Sequence, residues 1–306
     1  MSLVRLFFIC IVCLVSWQAQ AVTALEIQKV SSNVYALVGE LDQRSKDNLA
    51  NNATFGVIVT AEGVILIDSG GSYLGARKID QAIQKITDQP VKIVINSGGQ
   101  DHKWLGNGYF KAKGASIISS RQAVADHRKR TSSQLNTLDR LLGEKLDGTV
   151  PVYADEVFER EMDVKLGNVK RELFHVGAAH TVGDLFVWMP DQKIMFSGDI
   201  VFTERMLGPG PAQDSASWMR VFELMMNYKP EIVIPGHGHA GNNERAWADT
   251  YNYIKYMRGE VSKILAQDGD IQDAINIDQS RFKYLKVYER MARRSAQSFF
   301  SHMEFE

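Results

Sequence analysis

Cysteine is nearly missing from this 306-residue chain: Cys10 and Cys13 are the only two. Both fall in the first 21 residues. Everything after them must fold without a disulfide, and any metal must be held without a thiolate. An excess of one charge is missing too. Lys and Arg number 35 against 36 Asp and Glu, a net charge of -1. No basic surface therefore advertises nucleic acid or an anionic membrane. Low-complexity tracts and short repeat periods are absent. The longest apolar run, Leu6 to about Trp17, is too short to span a bilayer comfortably. What is present is ordinary for a globular protein: 45% hydrophobic and 23% charged residues, enough for one large domain or two small ones.

The first residues, "MSLVRLFFICIVCLVSWQAQA", carry one positive charge at Arg5, an apolar stretch, and Ala19-Gln20-Ala21 before a break. This is the pattern of a secretory signal peptide over 1–21, with cleavage after Ala21 or Ala24. An uncleaved anchor is the competing reading. Neither cysteine follows Gly, Ala or Ser, which argues against a lipid-modified cysteine. The expectation is a protein in the periplasm or secreted, without stable membrane insertion after cleavage.

From Glu26 onward, short apolar strands alternate with helical spacing. "TFGVIVTAEGVILIDSG" (54–70) reads as a hairpin turning at Ala61-Glu62-Gly63. "SYLGARKIDQAIQKI" is a helix, "VKIVIN" a strand, and a charged helical region runs to about Leu146. The second half repeats the alternation, with strands at 169–177, 184–190, 193–199 and 231–241. "SWMRVFELMMNYKP" is an amphipathic helix. Two strand-rich halves, each ending in helices, predict an α/β chain folded as a four-layer αβ/βα sandwich. The expected organisation is a domain over 22–250 with a helical extension, 251–306, packed on it.

The chain's seven histidines are 102, 127, 175, 180, 237, 239 and 302. Three of them follow a strand beside glycine or a carboxylate: His102 in "QDH", His180 in "GAAHTVGD" and His237 in "PGHGHAG". Another strand ends in "FSGD" at Asp199. Asp101, His102, His180, Asp199 and His237 thus emerge from four strand ends, where sites in α/β proteins form. One such histidine is ordinarily structural; five ligand-type residues in corresponding places point to a metal. His175, within a strand, reads as core or as support for the site. His239 either orients His237 or is exposed, and His127, in "HRKR", reads as a solvated helix face.

The order of "VILIDSG", an Asp-His pair, "AAHTVGDLFVW", "IMFSGDIVF" and "IVIPGHG" resembles the metallo-β-lactamase superfamily, from about residue 30 to 245. The resemblance implies two metal sites. Asp101, His102 and His237 match the second, Asp199 the carboxylate that bridges both, and His180 the third ligand of the first. The family's H-x-H-x-D-H motif is broken here: Ser97 and Gly99 stand where its two leading histidines would be. A first site left with His180 and a shared carboxylate should not hold zinc tightly. The second keeps an N2O2 set suited to one Zn(II), with Fe(II) or Mn(II) as other candidates.

The expected function is an exported metallo-hydrolase that cleaves an ester, thioester or lactam-type bond of a small molecule with metal-activated water. His180, freed from ligand duty, becomes a candidate general acid or base, with Asp101 also in the catalytic set. Lactamases usually carry cysteine or serine at the position of Asp199, so the resemblance favours ester-hydrolysing branches over a dedicated β-lactamase. The competing expectation is a non-catalytic binding relative with a decayed site. Gly98-Gly99 either opens room for a substrate anion or serves a turn. Asp68 is expected to brace the motif loop, and loops 40–53 and 203–216 to flank the site.

Overall fold

The computed structural model describes residues 23–167, 169–210 and 214–306. The expected signal peptide lies outside them. The described strands are β1 (Glu26–Lys29), β2 (Val34–Val38), β3 (Thr54–Thr60), β4 (Gly63–Ile67), β5 (Val91–Asn96), β6 (Ser116–Ser120), β7 (Glu156–Phe158), β8 (Glu161–Leu166), β9 (Val169–Phe174), β10 (Phe186–Met189), β11 (Ile194–Phe202) and β12 (Ile232–His237). The helices are α1 (Tyr73–Ile83), α2 (Asp101–Trp104), α3 (Asn107–Ala112), α4 (Arg121–Leu142), α5 (Ser215–Met226), α6 (Asn243–Ala246), α7 (Asn252–Leu265), α8 (Ile271–Ile275) and α9 (Tyr288–Met303).

Strands β1 to β7 form one sheet in chain order, antiparallel up to β4 and parallel from β4 to β7. The second sheet runs β12-β11-β10-β9-β8, with β11 and β12 parallel. The fully buried strands β4 and β11 are nearly continuous apolar runs, as strands covered on both faces must be. Between the sheets, Ile58, Ile65, Ile95, Val187, Phe196 and Ile234 pack together. On the outer face of the first sheet, Phe55, Val57 and Leu66 meet Ala76, Ile79 and Ile83 of α1 and Phe110 of α3. On the outer face of the second, Met195 and Val201 meet Trp218, Phe222 and Met225 of α5 and Tyr253, Met257 and Val261 of α7. The result is the four-layer αβ/βα sandwich expected from the sequence.

The C-terminal helices contribute to this core. Ala292, Ala296, Phe299, Phe300 and Met303 of α9 recur at helical spacing and are buried in the same cluster as Trp218 and Phe222. Among the described residues, no helix is long and apolar enough to cross a membrane.

The turn at the β3–β4 hairpin falls where the sequence placed it, and Gly63 takes φ 141° there. Gly198 opens a bulge in β11 at φ 50°, and a side chain on it would run into Ser97. The bulge brings Asp199 and the loop after β5 together, so the edges of the two sheets share one centre.

Candidate metal centre

His102, Asp199 and His237 converge at that edge, with one ligand atom from each within 4.8 Å of the others, and all three are buried. His102 sits in α2, a single turn directly after β5. Its Nε2 lies 3.3 Å from Asp199 Oδ2. His237 ends β12, and its Nε2 lies 3.5 Å from Asp199 Oδ1. Donors bonded at about 2.0–2.1 Å to a tetrahedral ion stand roughly 3.3 Å apart, so the spacing fits one divalent ion.

The histidine orientations fit as well. His237 Nδ1 lies 2.8 Å from the Asn52 carbonyl. A carbonyl can only accept, so Nδ1 carries the proton and the Nε2 lone pair faces Asp199. Burial holds His237 well below its ordinary pKa, as a neutral ligand requires. Burial also works against ionisation of Asp199, but Lys103 and His102 overcome it and keep the carboxyl well below its usual range. Asp199 Oδ1 accepts no aligned hydrogen bond among the described residues, although the Lys103 ammonium stands 2.9 Å from it.

Two sequence-predicted ligands stand outside this cluster. Asp101 Oδ2 is held by Arg44, while Oδ1 accepts the backbone N–H of His102 at 2.8 Å and lies 3.3 Å from His102 Nδ1. Its carboxylate thus supports His102 and pairs with an arginine, where the sequence placed it among the ligands. His180 Nε2 lies 2.9 Å from Gln100 Nε2, and its Nδ1 has no partner among the described residues. Burial pushes His180 down to about 4, so its ring is uncharged at neutral pH.

The broken half of the motif is filled by the protein itself. Asp68, in the left-handed region at φ 67°, accepts from the Ser97 backbone at 2.7 Å and its hydroxyl at 2.8 Å, the brace expected of it. The Gly99 carbonyl accepts from Arg130 Nη2 at 2.7 Å and Gln134 Nε2 at 2.8 Å, both from α4. A side chain at Gly99 would collide with Asp126, and one at Gly98 with Asp184. The two glycines therefore make room for the chain's own acids, not for a substrate anion. His127 corrects a second expectation. It is buried, stacks on Trp104 at 4.4 Å and contacts the Gly98 carbonyl through Nε2 at 2.9 Å. His175 is buried against the Asp184 carbonyl at 2.8 Å. His239 pairs with Glu204 and Glu26, while orientation of His237 falls to Asn52.

Lys103 was not anticipated. It is fully buried, and its Nζ stands 2.9 Å from Asp199 Oδ1 and 3.2 Å from Asp68 Oδ2. A fixed ammonium thus lies on the very carboxylate expected to serve two ions. Its only sequence signal is a charge inserted between His102 and the apolar Trp104-Leu105.

A cavity of about 330 Å³ opens over the centre. Its lining includes His102, His180 and His237, with Gln43, Arg44 and Asn52 from loop 40–53 and Arg205, Met206, Gly208 and Pro209 from loop 203–216. The described residues of both loops flank the site as the sequence suggested. Met291, Arg294, Ser295 and Ser298 of α9 complete the wall, which sequence reading had not placed near the site.

Comparison with known proteins agrees with this architecture. The family model of the Metallo-beta-lactamase superfamily matches residues 50–237. A Metallo-beta-lactamase type 2 of Bacillus cereus is 23% identical over 222 residues, 71% of this chain and 78% of that protein. The 2,4-dinitroanisole O-demethylase subunit alpha of Nocardioides sp. is 25% identical over 177 residues, 57% of this chain and 49% of that protein. Among solved structures, a metallo-beta-lactamase from Pontibacter korlensis superposes with a TM-score of 0.61 at 20% identity, covering 76% of this chain and 99% of its own.

Proposed function

The chain belongs to the metallo-β-lactamase superfamily, and from that premise we propose that it is an exported hydrolase working with one divalent ion. The observation that carries this reading is the buried triangle of His102, Asp199 and His237, whose two histidines line a cavity of small-molecule size. Zn(II) suits the two imidazoles and one carboxylate, with Fe(II) or Mn(II) next. A single ion is favoured because Ser97 and Gly99 offer no first-site imidazoles and Lys103 already neutralises one oxygen of Asp199. The bond cleaved is an ester, thioester or lactam-type bond. The helices after residue 250 belong to the same domain, and the first 21 residues direct export.

A divalent ion in this site supplies Lewis-acid activation of a carbonyl and of water. The chain's own groups do the remaining work. Asn52 fixes the His237 tautomer, and Lys103 keeps Asp199 ionised in a buried site. His180 is uncharged at neutral pH and lines the cavity. Gln100 holds its Nε2, so a substrate that displaces the Gln100 amide inherits a lone pair able to take a proton.

Lys103 also favours a second reading. A carboxylate that already has an ammonium partner needs no ion, as in a binding protein on an enzyme's scaffold. Metal analysis of untagged protein purified without added metal, beside Asp199→Ala, separates the two. One equivalent of metal, lost in the variant, supports the hydrolase. No metal, even after zinc is supplied and dialysed away, refutes it.

A further inference from the structure

Arg205 is the least compensated charge at this site. It is 5% exposed, its Nε has no hydrogen-bond partner, and among the described residues no carboxylate reaches it at ion-pair distance. Its Nη1 lies 3.1 Å from His237 Nδ1, which already donates to Asn52 and cannot accept from it. A buried guanidinium without an anion is costly, and the cavity that Arg205 lines is a space that could supply a partner.

The rest of the wall has the same sign. Arg44, Arg205 and Arg294 line the cavity, and no described Asp or Glu does. Arg44 is satisfied by Asp101. Arg294 is exposed on α9, with Ser298 one turn further along on the same wall. This helix begins 51 residues beyond the end of the region the family model matches, so the arginine it brings lies outside that region.

We propose that the cavity selects a small substrate bearing a carboxylate or phosphate group, which Arg205 and Arg294 hold while the bond to be cleaved lies over His102, Asp199 and His237. Guanidinium groups match both anions through paired N–H donors. The proposal rests on the hydrolase reading for the word substrate; the anion site itself does not depend on turnover.

The test is equilibrium binding of benzoate, phenyl phosphate and the neutral benzamide, to protein as purified and after chelation. At least one anion should bind about tenfold tighter than benzamide, in both forms, and weaken as salt rises; which anion binds tighter identifies the group. Arg294→Gln should lower anion affinity about fivefold or more, and Arg205→Met, checked for folding by circular dichroism, should lower it further. Equal binding of benzamide, or unchanged affinity in both variants, overturns the proposal. So does a preference that vanishes on chelation, because the anion is then held by metal. If the protein takes up no metal even when zinc is supplied and dialysed away, yet binds the anion, the hydrolase reading alone fails and the anion site stands.

Discussion

Lys103 Nζ lies 2.9 Å from Asp199 Oδ1, and neither side chain reaches solvent. With Asp68 Oδ2 at 3.2 Å on its other side, the ammonium compensates two buried carboxylates at once. Replacing Lys103 with Met keeps the shape and removes the charge. Two acids would then be buried without a cation, a loss of about 3–5 kcal/mol. Urea denaturation of Lys103→Met measures this, and adding Asp68→Asn should recover part of it. A loss under about 1 kcal/mol would mean that Lys103 fills space more than it balances charge.

The filling of the first site predicts that it cannot be rebuilt simply. A side chain on Gly99 meets Asp126, which Arg130 holds in place through Nε at 2.8 Å. Gly99→Ala should therefore cost about 2–3 kcal/mol. Restoring the family pattern with Ser97→His and Gly99→His should yield a less stable protein that still binds no more than one zinc. Two equivalents, found by metal analysis after dialysis against zinc, would show that α4 can move aside.

These two cases mark how far the sequence could be read. Strand ends were visible because period-2 and continuous apolar runs stop at Gly-, His- and Asp-rich loops, so His102, Asp199 and His237 could be brought together without coordinates. Asp101 could not be placed, because its partner Arg44 arrives from a polar loop 57 residues away. His127 was misjudged for a related reason. In "HRKR" Arg128 and Lys129 are exposed, yet the histidine faces inward onto Trp104 and Arg130 reaches the Gly99 carbonyl. Lys103 broke the rule that charges stay outside, and only the juxtaposition of two acids from distant strands explains it. The role of α9 in the cavity wall left no sequence signal, because its apolar spacing reports burial and not what its other face meets.

Arg44 holds Asp101, and its guanidinium also adds positive charge beside the proposed ion. Arg44→Ala removes the charge and frees a carboxylate next to His102. Both effects favour a divalent cation, so zinc should bind about tenfold tighter. Competition with a chromogenic chelator measures the dissociation constants. Weaker binding in the variant would show that Arg44 is needed to shape the loop, and that Asp101 serves His102 without reserve as a ligand.

His127 gives the fold a dependence on acid that can be isolated. Burial against Trp104 and the Gly98 carbonyl pushes its pKa down to about 4. In the unfolded chain it titrates near 6.5. The folded state therefore binds fewer protons between these values, so stability falls as pH drops from about 6.5 to about 4. Above the upper limit the contribution is complete, and below the lower one the loss is complete. A shift of about two and a half units corresponds to roughly 3 kcal/mol. His127→Gln keeps a donor for Gly98 and removes the titration. Urea midpoints at pH 7.5, 6, 5 and 4 should fall more steeply for the parent protein than for the variant, with the gap developing across that window. Parallel curves would mean that His127 is protonated in the folded protein, which its stacking on Trp104 and its unpartnered Nδ1 argue against.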